Sequence, residues 1–307
     1  MPTMKAIKRR RLTVQNIQQI TNAMNLVATS KLQKAKSRLA KAAALTQATF
    51  DIVHNVLHNS DVLEVPLIAP RRNVKKIAYV LITSNKGLCG GYNLQICREL
   101  LSHATKKGKD FMVITIGTKG RDYLARRNYE VEEATLNGIS FESAAALAKL
   151  LMEKYASGEV DEIYLAYTRF LTVLTQEPII KPVLPLSPGF LRRVVGRELE
   201  EGERWENLGF FKKPEAAQTH DLAQAEYEPG LEAVIDSAIP WFLNMYLFAA
   251  FASSNLCEEA SRMTSMDSAT TSAGDIIDKL TLQFNRRRQS IITQEITEIV
   301  SGANALN

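Results

Sequence analysis

The loop 84–93, SNKGLCGGYN, is the part of this 307-residue chain that comes nearest to a ligand site. It follows an apolar segment and precedes a helical one, the context in which glycines let the backbone approach a phosphate. The loop lacks the Lys-Ser/Thr pair of a P-loop, and its glycine spacing is not that of dinucleotide-binding folds. We therefore predict a tight turn with a positive φ at Gly87, Gly90 or Gly91. An enzyme that binds a phosphate ligand at this GLCGG loop is kept as an alternative.

The histidines and cysteines form no metal or nucleophile pattern. His54 and His58 lie four residues apart on a predicted helix, but no second pair or nearby acidic cluster completes a zinc site. Cys89, Cys97 and Cys257 show neither a CxxC spacing nor a disulfide framework, which favours a reducing compartment. No Ser-His-Asp, Cys-His or paired-carboxylate group can be assembled from neighbouring residues. The sequence thus predicts no metal, no cofactor and no catalytic residue.

The middle of the chain, 66–190, has the pattern of an α/β domain. Segments rich in Val, Ile, Leu and Tyr predict buried strands at Lys76–Thr83, Phe111–Ile116 and Glu162–Leu171. Intervening helices are predicted at Cys97–Lys106, Lys119–Arg127 and Phe141–Ala156. Alternating strands and helices indicate a mainly parallel, Rossmann-like sheet with helices packed on it.

The C-terminal segment, 227–307, has the pattern of a long coiled-coil helix. From Phe242 to Ile291 apolar residues recur at alternating three- and four-residue steps, and the exceptions are Glu259, Thr270 and Arg287. At about 1.5 Å per residue, a helix from Trp241 to the chain end would be roughly 100 Å long. A helix of this length needs a partner helix along its seam.

The N-terminal segment, 1–60, supplies that partner. It contains no glycine or proline between Ile7 and His58. We predict a seam formed by Ile17, Ile20, Met24 and Val27 that slips by one residue at Ala28 and continues through Leu32, Ala35 and Leu39. The expected architecture is an antiparallel coiled coil of the two chain ends with the α/β domain inserted between them. Two unrelated long helices of a bundle would show similar stripes.

Charge is distributed very unevenly along the chain. The first fifty residues contain ten Lys and Arg and no acid, whereas the whole chain has a net charge of +5. The N-terminal helix should therefore seek an acidic partner surface, and a basic coiled-coil adaptor is a further alternative. Nucleic acid is not expected, because the first aromatic residue is Phe50 and no helix-turn-helix spacing occurs.

A membrane-spanning segment is not expected either. The most apolar run, Ala238–Ala252, is interrupted by Pro240 and Asn244 and falls short of the roughly twenty residues that a spanning helix needs. The N-terminus is basic but lacks the apolar region of a signal peptide, and no transit peptide is visible.

Three blocks of the sequence together resemble the gamma subunit, or central stalk, of the F-type ATP synthase. They are IQQITNAMNLVATSKLQKAK at 17–36, the GLCGGYN loop, and ASRMTSMDSATTSAGDIIDKLTLQFNRRRQSIITQEITEIVSG at 260–302. The resemblance covers the chain except for 192–224. It implies a non-catalytic rotor shaft that couples ion-driven rotation of the membrane ring to ATP synthesis or hydrolysis in a ring of alpha and beta subunits. The implied location is the cytoplasmic face of the bacterial cell membrane, as a peripheral protein.

The resemblance also implies partners and contact residues. The expected partners are the alpha and beta subunits, the epsilon subunit and the membrane c-ring. Residues that match the family's torque contacts are Met24, Arg262, Arg288, Gln289, Thr293 and Glu295. Tyr227 and Glu228 match a family segment near the membrane ring. The surface insertion 191–226 lies where chloroplast members carry paired cysteines, but it has none here, so thiol control of that kind is not expected.

Overall fold

The computed structural model describes 3–58, 67, 71, 73–134, 140–186 and 230–305. The predicted insertion 191–226 and the residues Tyr227 and Glu228 lie outside this described part. Internal contacts divide the chain into two units, which we call the helix-pair unit (Met1–Ser30 with Arg262–Asn307) and the sheet unit (Lys31–Ser261).

The described elements alternate between helix and strand from the long N-terminal helix to the fourth strand, and a fifth strand follows the fourth before the long C-terminal helix. The helices are α1 (Met4–His58), α2 (Tyr92–Lys107), α3 (Thr118–Ala125), α4 (Phe141–Ala156) and α5 (Leu231–Ala305). The strands are β1 (Lys76–Ile82), β2 (Asp110–Ile116), β3 (Val131–Glu133), β4 (Glu162–Phe170) and β5 (Gln176–Leu184).

The sheet unit is built on five strands in the order β3-β2-β1-β4-β5. The pairs β3-β2, β2-β1 and β1-β4 are parallel, and β5 is antiparallel to β4. The short β3 and the edge strand β5 were not predicted. Pro178 and Pro182 explain the second omission, because proline argues against a central strand but is tolerated at an edge.

Side-chain alternation along β1 places a separate core on each face of the sheet. Ile77, Tyr79 and Leu81 pack with residues of α2, whereas Ala78 and Val80 pack with residues of α4 and α5. Every residue of β1 from Ile77 to Ile82 is buried, as expected for a strand covered on both faces.

Within the sheet unit, α1 and α5 lie antiparallel and close together. Ala42 packs against Ala249 and Ala252, and these three residues are buried. The hydroxyl of Thr46 lies 3.1 Å from the carbonyl oxygen of Met245 on α5. Small side chains on both helices permit this close approach of the backbones.

The helix-pair unit is likewise an antiparallel pair. The guanidinium carbon of Arg11 lies 5.6 Å from the ring centre of Phe284, whereas Asn25 donates a hydrogen bond of 3.2 Å to Asp267. Residues further along α1 therefore contact residues nearer the start of α5, so the two helices run in opposite directions. The predicted fold class, α/β with a Rossmann-like sheet inserted between two long antiparallel helices, is confirmed.

The predicted seam on α1 is wrong in the helix-pair unit. Ile17, Ile20 and Val27 are 47%, 59% and 56% exposed, and the buried or half-buried face instead contains Ile7, Arg11, Val14, Gln18, Thr21, Asn25 and Ala28. These positions follow steps of four and three without a slip at Ala28. The prediction failed because it followed the most apolar stripe, whereas polar residues hydrogen-bonded to α5 occupy the seam.

Candidate functional site

The GLCGG loop is closed by hydrogen bonds within itself. The backbone N–H of Ser84 donates to the side chain of Asn93 at 2.9 Å, and the Asn93 amide donates to the Ser84 hydroxyl at 2.7 Å. Cys89 is buried, and the positive φ values in the loop occur at Gly90 and, unexpectedly, at Leu88. The loop is thus a tight turn, as predicted, in which Ser84 and Asn93 bond each other and Asn85 is bonded to Thr118.

The ligand crevice typical of such a sheet is occupied by α5. In open α/β sheets, ligands bind beyond the carboxyl ends of the strands at the point where the strand order reverses, here between β1 and β4. β1 pairs with β4 only as far as Ala166. Beyond it, the Ser253 hydroxyl donates to the Thr168 carbonyl at 3.0 Å and accepts from the Phe170 N–H at 3.2 Å.

Ser254 completes this docking by accepting a hydrogen bond of 3.4 Å from the Thr168 N–H. Next to it, Cys257 packs in a buried group with Cys89 and Tyr92. The backbone N–H groups of Thr168 and Phe170 and the carbonyl of Thr168, at the end of β4, are therefore bonded to α5. This arrangement argues against the phosphate-binding enzyme, and the buried group of Cys89, Tyr92 and Cys257 shows that the loop packs against α5.

The side chains of Cys97, Cys257 and His103 are placed for packing and not for catalysis. Burial raises the pKa of Cys97 to about 12 and also raises the pKa of Cys257 well above its ordinary value, so both are protonated and unreactive near neutral pH. His103 lies 2.9 Å from the Tyr79 hydroxyl, and burial lowers its pKa. Among the described residues, no group of three or more His, Cys, Asp or Glu is placed to hold a metal.

A row of apolar side chains on α1 faces away from the helix pair. We call Ile17, Ile20, Met24 and Val27 the outer stripe; Met24 is half-buried and the other three are exposed. With the seam residues at heptad positions a and d, this stripe occupies g and c, on one flank of α1. Aligned apolar residues on one exposed face mark an interaction surface more specifically than scattered ones.

A dense group of cations lies at the level of Arg11 and Phe284. We call it the basic collar, and it consists of five residues from α1 and three from α5: Lys5, Lys8, Arg9, Arg10, Arg11, Arg286, Arg287 and Arg288. None of the ion pairs found in the described part of the chain involves these eight side chains. The collar therefore carries positive charge that no described ion pair compensates. That it meets an acidic partner surface stays a prediction.

The last turns of α5 reverse their apolar face. Up to Ile291 the seam positions are apolar or half-buried, but the next ones are Gln294 and Glu298, which hydrogen-bond to each other at 2.9 Å. The apolar residues move to the opposite side, which we call the tail stripe: Ile292, Ile296, Ile299 and Val300, exposed by 46%, 56%, 71% and 53%. The face that pairs with α1 thus ends near Ile291, and beyond it a different face of α5 carries the exposed apolar side chains.

The predicted contact residues fall into three groups. Arg288, Gln289, Thr293 and Glu295 are exposed on α5, and Met24 is half-buried in the outer stripe. Arg262 is buried, with only 8% of its surface exposed. Tyr227 and Glu228 lie outside the described residues. The reversal of the apolar face at Ile291 was readable in the sequence, since Gln294 and Glu298 continue the seam spacing.

No described helix contains a stretch long and apolar enough to cross a membrane.

Comparison with known proteins gives one consistent family. A family model described as ATP synthase matches residues 3–306. The chain is 38% identical to the ATP synthase gamma chain of Lachnoclostridium phytofermentans, with all of both chains covered. It is 36% identical to the sodium ion specific ATP synthase gamma chain of Acetobacterium woodii, with 98% of each covered.

Solved structures show the same fold. The chain is similar to one in the central stalk and c-ring of the Tetrahymena thermophila mitochondrial ATP synthase, with a TM-score of 0.59, 24% identity, and coverage of 81% of this chain and 99% of that one. It is also similar to a chain of the Euglena gracilis mitochondrial ATP synthase in rotational state 3. There the TM-score is 0.64, the identity is 17%, and 99% of this chain and 94% of that one are covered.

Proposed function

The chain belongs to the ATP synthase gamma-chain family, and from this premise we propose that it is the central rotor shaft that couples rotation of a membrane ring to ATP synthesis or hydrolysis in a surrounding alpha/beta ring. The observation that carries the proposal is the outer stripe. A helix pair that leaves Ile17, Ile20 and Val27 about half exposed, while half-buried polar residues occupy its seam, is built to be covered by another protein.

The three surfaces of the helix-pair unit have different roles in this proposal. The outer stripe gives an apolar bearing face, and the basic collar gives electrostatic attraction to acidic segments of the ring. The tail stripe gives an apolar end that seats in a socket. Since these surfaces are unevenly distributed around the helices, each orientation of the shaft favours a different set of conformations in the ring, and rotation and catalysis become coupled.

Particular residues are proposed as contacts within these surfaces. Met24 meets the ring as part of the outer stripe. Arg288 and Gln289 meet the beta subunit from the collar, because a guanidinium fork holds carboxylate or backbone oxygens with defined geometry. Thr293 and Glu295 follow them toward the tail. The burial of Arg262 favours a role in which it shapes the shaft as well as touching the ring.

The remaining partners are proposed from family membership. The sheet unit binds the epsilon subunit, and the c-ring contacts include Tyr227 and Glu228. We propose a non-catalytic subunit, because the backbone of Thr168 at the end of β4 is bonded to Ser253, Ser254 and Cys257 of α5. It lies at the cytoplasmic face of the bacterial membrane as a peripheral subunit.

A charge placed in the outer stripe tests the proposal. Ile20→Asp should leave the melting of the isolated chain nearly unchanged, since Ile20 is 59% exposed, yet weaken retention by co-expressed alpha and beta subunits and lower ATP-driven ion pumping. Gln19→Asp is the matched control, because Gln19 is exposed on the opposite flank of α1. Equal retention and pumping by the two variants would contradict the proposal.

A further inference from the structure

Two neighbouring faces of α1 compete for the seam of the helix-pair unit. The outer stripe lies one residue before the seam positions Gln18, Thr21, Asn25 and Ala28, so a rotation of α1 by about 100° would exchange the two faces. On hydrophobicity alone the stripe belongs inside, because its isoleucines and valine are about half exposed where they now lie. Something other than apolar burial must set the rotational position of this segment.

Hydrogen bonds across the seam supply that determinant. The hydroxyls of Thr21 and Thr270 lie 2.8 Å apart, and the Asn25 amide donates to the Asp267 carboxylate at 3.2 Å. The Gln18 amide donates to the Thr270 carbonyl oxygen at 3.5 Å. We call these five residues, Gln18, Thr21, Asn25, Asp267 and Thr270, the polar lattice.

The small residue Gly274 on α5 favours the same rotational position of α1. A Cβ added at Gly274 would lie 3.3 Å from the Gln18 side-chain nitrogen, so the glycine accommodates Gln18 at this level. Polar residues at core positions of coiled coils lower stability but select one arrangement among several. A rotated α1 would leave Thr21 and Asn25 without these partners and place isoleucine opposite Thr270 and Asp267.

We propose that the polar lattice is a set of positioning residues that fixes the rotational phase of α1 between Ile17 and Ala28, and thereby holds the outer stripe outward. With the lattice in the seam, the apolar side chains of the outer stripe are not buried there and stay available to the surrounding ring. Its consequence for coupling rests on the proposed function, whereas the phase itself is a property of this chain alone. Gln18, Thr21 and Asn25 thus act on the ring indirectly, through the orientation of the residues beside them.

Adjacent cysteine reporters measure the phase directly in the full-length chain. Val27 is 56% exposed and Ala28 is 1% exposed, so Val27→Cys should be alkylated rapidly and Ala28→Cys slowly in a background without Cys89, Cys97 and Cys257. The lattice is then broken from the α5 side by Asp267→Ala with Thr270→Ala. These substitutions leave both faces of α1 intact and favour helix.

We expect the rate ratio of Val27→Cys to Ala28→Cys to fall several-fold in the broken-lattice chain, with unchanged helix content by circular dichroism. In the parent chain, the exchanged pair Asn25→Asp with Asp267→Asn keeps a hydrogen bond in the reverse direction across the seam and should keep the parent ratio. Asp275→Ala with Ser272→Ala, at exposed positions of α5, is the matched control and should leave the ratio unchanged. An unaltered ratio in the broken-lattice chain would overturn the proposal.

Assembly separates this inference from the proposed function. In complexes with alpha and beta subunits, the broken-lattice chain should hydrolyse ATP with weaker coupling to ion pumping, and the exchanged pair should retain the coupling of the parent chain. A changed alkylation ratio with full coupling would retain the phase lock but overturn its role in presenting the stripe. An unaltered ratio would overturn the lock and leave the rotor proposal standing on its own test.

Discussion

A single carboxylate in the tail stripe should separate the stability of the chain from its seating in the ring. Ile299 is 71% exposed, so Ile299→Asp should change the free energy of unfolding of the isolated chain by less than about 0.5 kcal/mol. If a socket covers the exposed part of this side chain, the lost burial is worth about 1 to 2 kcal/mol, taking roughly 1.5 to 3 kcal/mol for a whole side chain. Desolvation of the new carboxylate adds to this loss.

The expected result is a dissociation constant for the alpha/beta ring that is raised by about tenfold or more, since 1.4 kcal/mol corresponds to one factor of ten. Titration of labelled chain into reconstituted ring measures it, and ATP-driven ion pumping reports coupling. Ser301→Asp is the control, because Ser301 is exposed and continues the seam spacing of Gln294 and Glu298 on the opposite side. If Ile299→Asp binds and couples as well as Ser301→Asp, the socket is refuted.

Three further predictions concern the collar, the sheet and pH. Arg288→Ala should lower coupling and the salt dependence of ring association while the melting temperature of the chain stays within about 1 °C, since exposed charges contribute little to folding. Gly117→Ala should destabilise the sheet unit by about 2 kcal/mol or more in chemical denaturation, because φ at Gly117 is +96° and a Cβ would lie 2.2 Å from the Thr83 carbonyl oxygen. Gly87→Ala is the control and should not change stability, because there is open space around Gly87. Burial alone would raise the pKa of Asp161, but hydrogen bonds from backbone N–H groups and an arginine lower this pKa below its ordinary value. The stabilisation that ionised Asp161 gives the fold is therefore full above about pH 4 and is lost as the pH falls further. Asp161→Asn should flatten this loss of stability at acid pH.

The sequence predicts the α5 seam residue by residue but not that of α1. On α5 from Met263 to Ile291 the apolar spacing is nearly continuous, and every position on it is half-buried or buried. On α1 the most apolar stripe and the true seam differ by one residue, since the stripe serves an outside partner. Periodicity locates an apolar interaction face on a helix, but it does not show whether that face packs against this chain or against another protein.

The candidate site was predictable in its chemistry but not in all its geometry. Glycine spacing excluded a phosphate loop, and Gly90 has the expected positive φ. That Ser253 and Ser254 would cap the unpaired end of β4 could not be read from the sequence, because the two segments are 83 or more residues apart. The insertion 191–226 lies outside the described residues, and the expected lack of thiol control there stays a prediction.

Tying the shaft to the ring tests the rotor account most directly. In the middle of α5, Ser265 is half-buried, whereas Ser268 is exposed and offers an attachment point. In a chain without native cysteines, Ser268→Cys would be oxidised to a cysteine on the facing loop of beta, which holds the two Cα atoms within about 7 Å. A control cross-link joins Thr21→Cys to Thr270→Cys within the chain, where the native hydroxyls are 2.8 Å apart.

The account predicts that oxidation of the Ser268→Cys complex stops multiple-turnover ATP hydrolysis, that a reductant restores it, and that the cross-link within the chain leaves it intact. A shaft that is covalently fixed to its ring cannot complete a turn. Undiminished hydrolysis over many turnovers in the fully cross-linked complex would contradict rotation and leave the chain as a static plug.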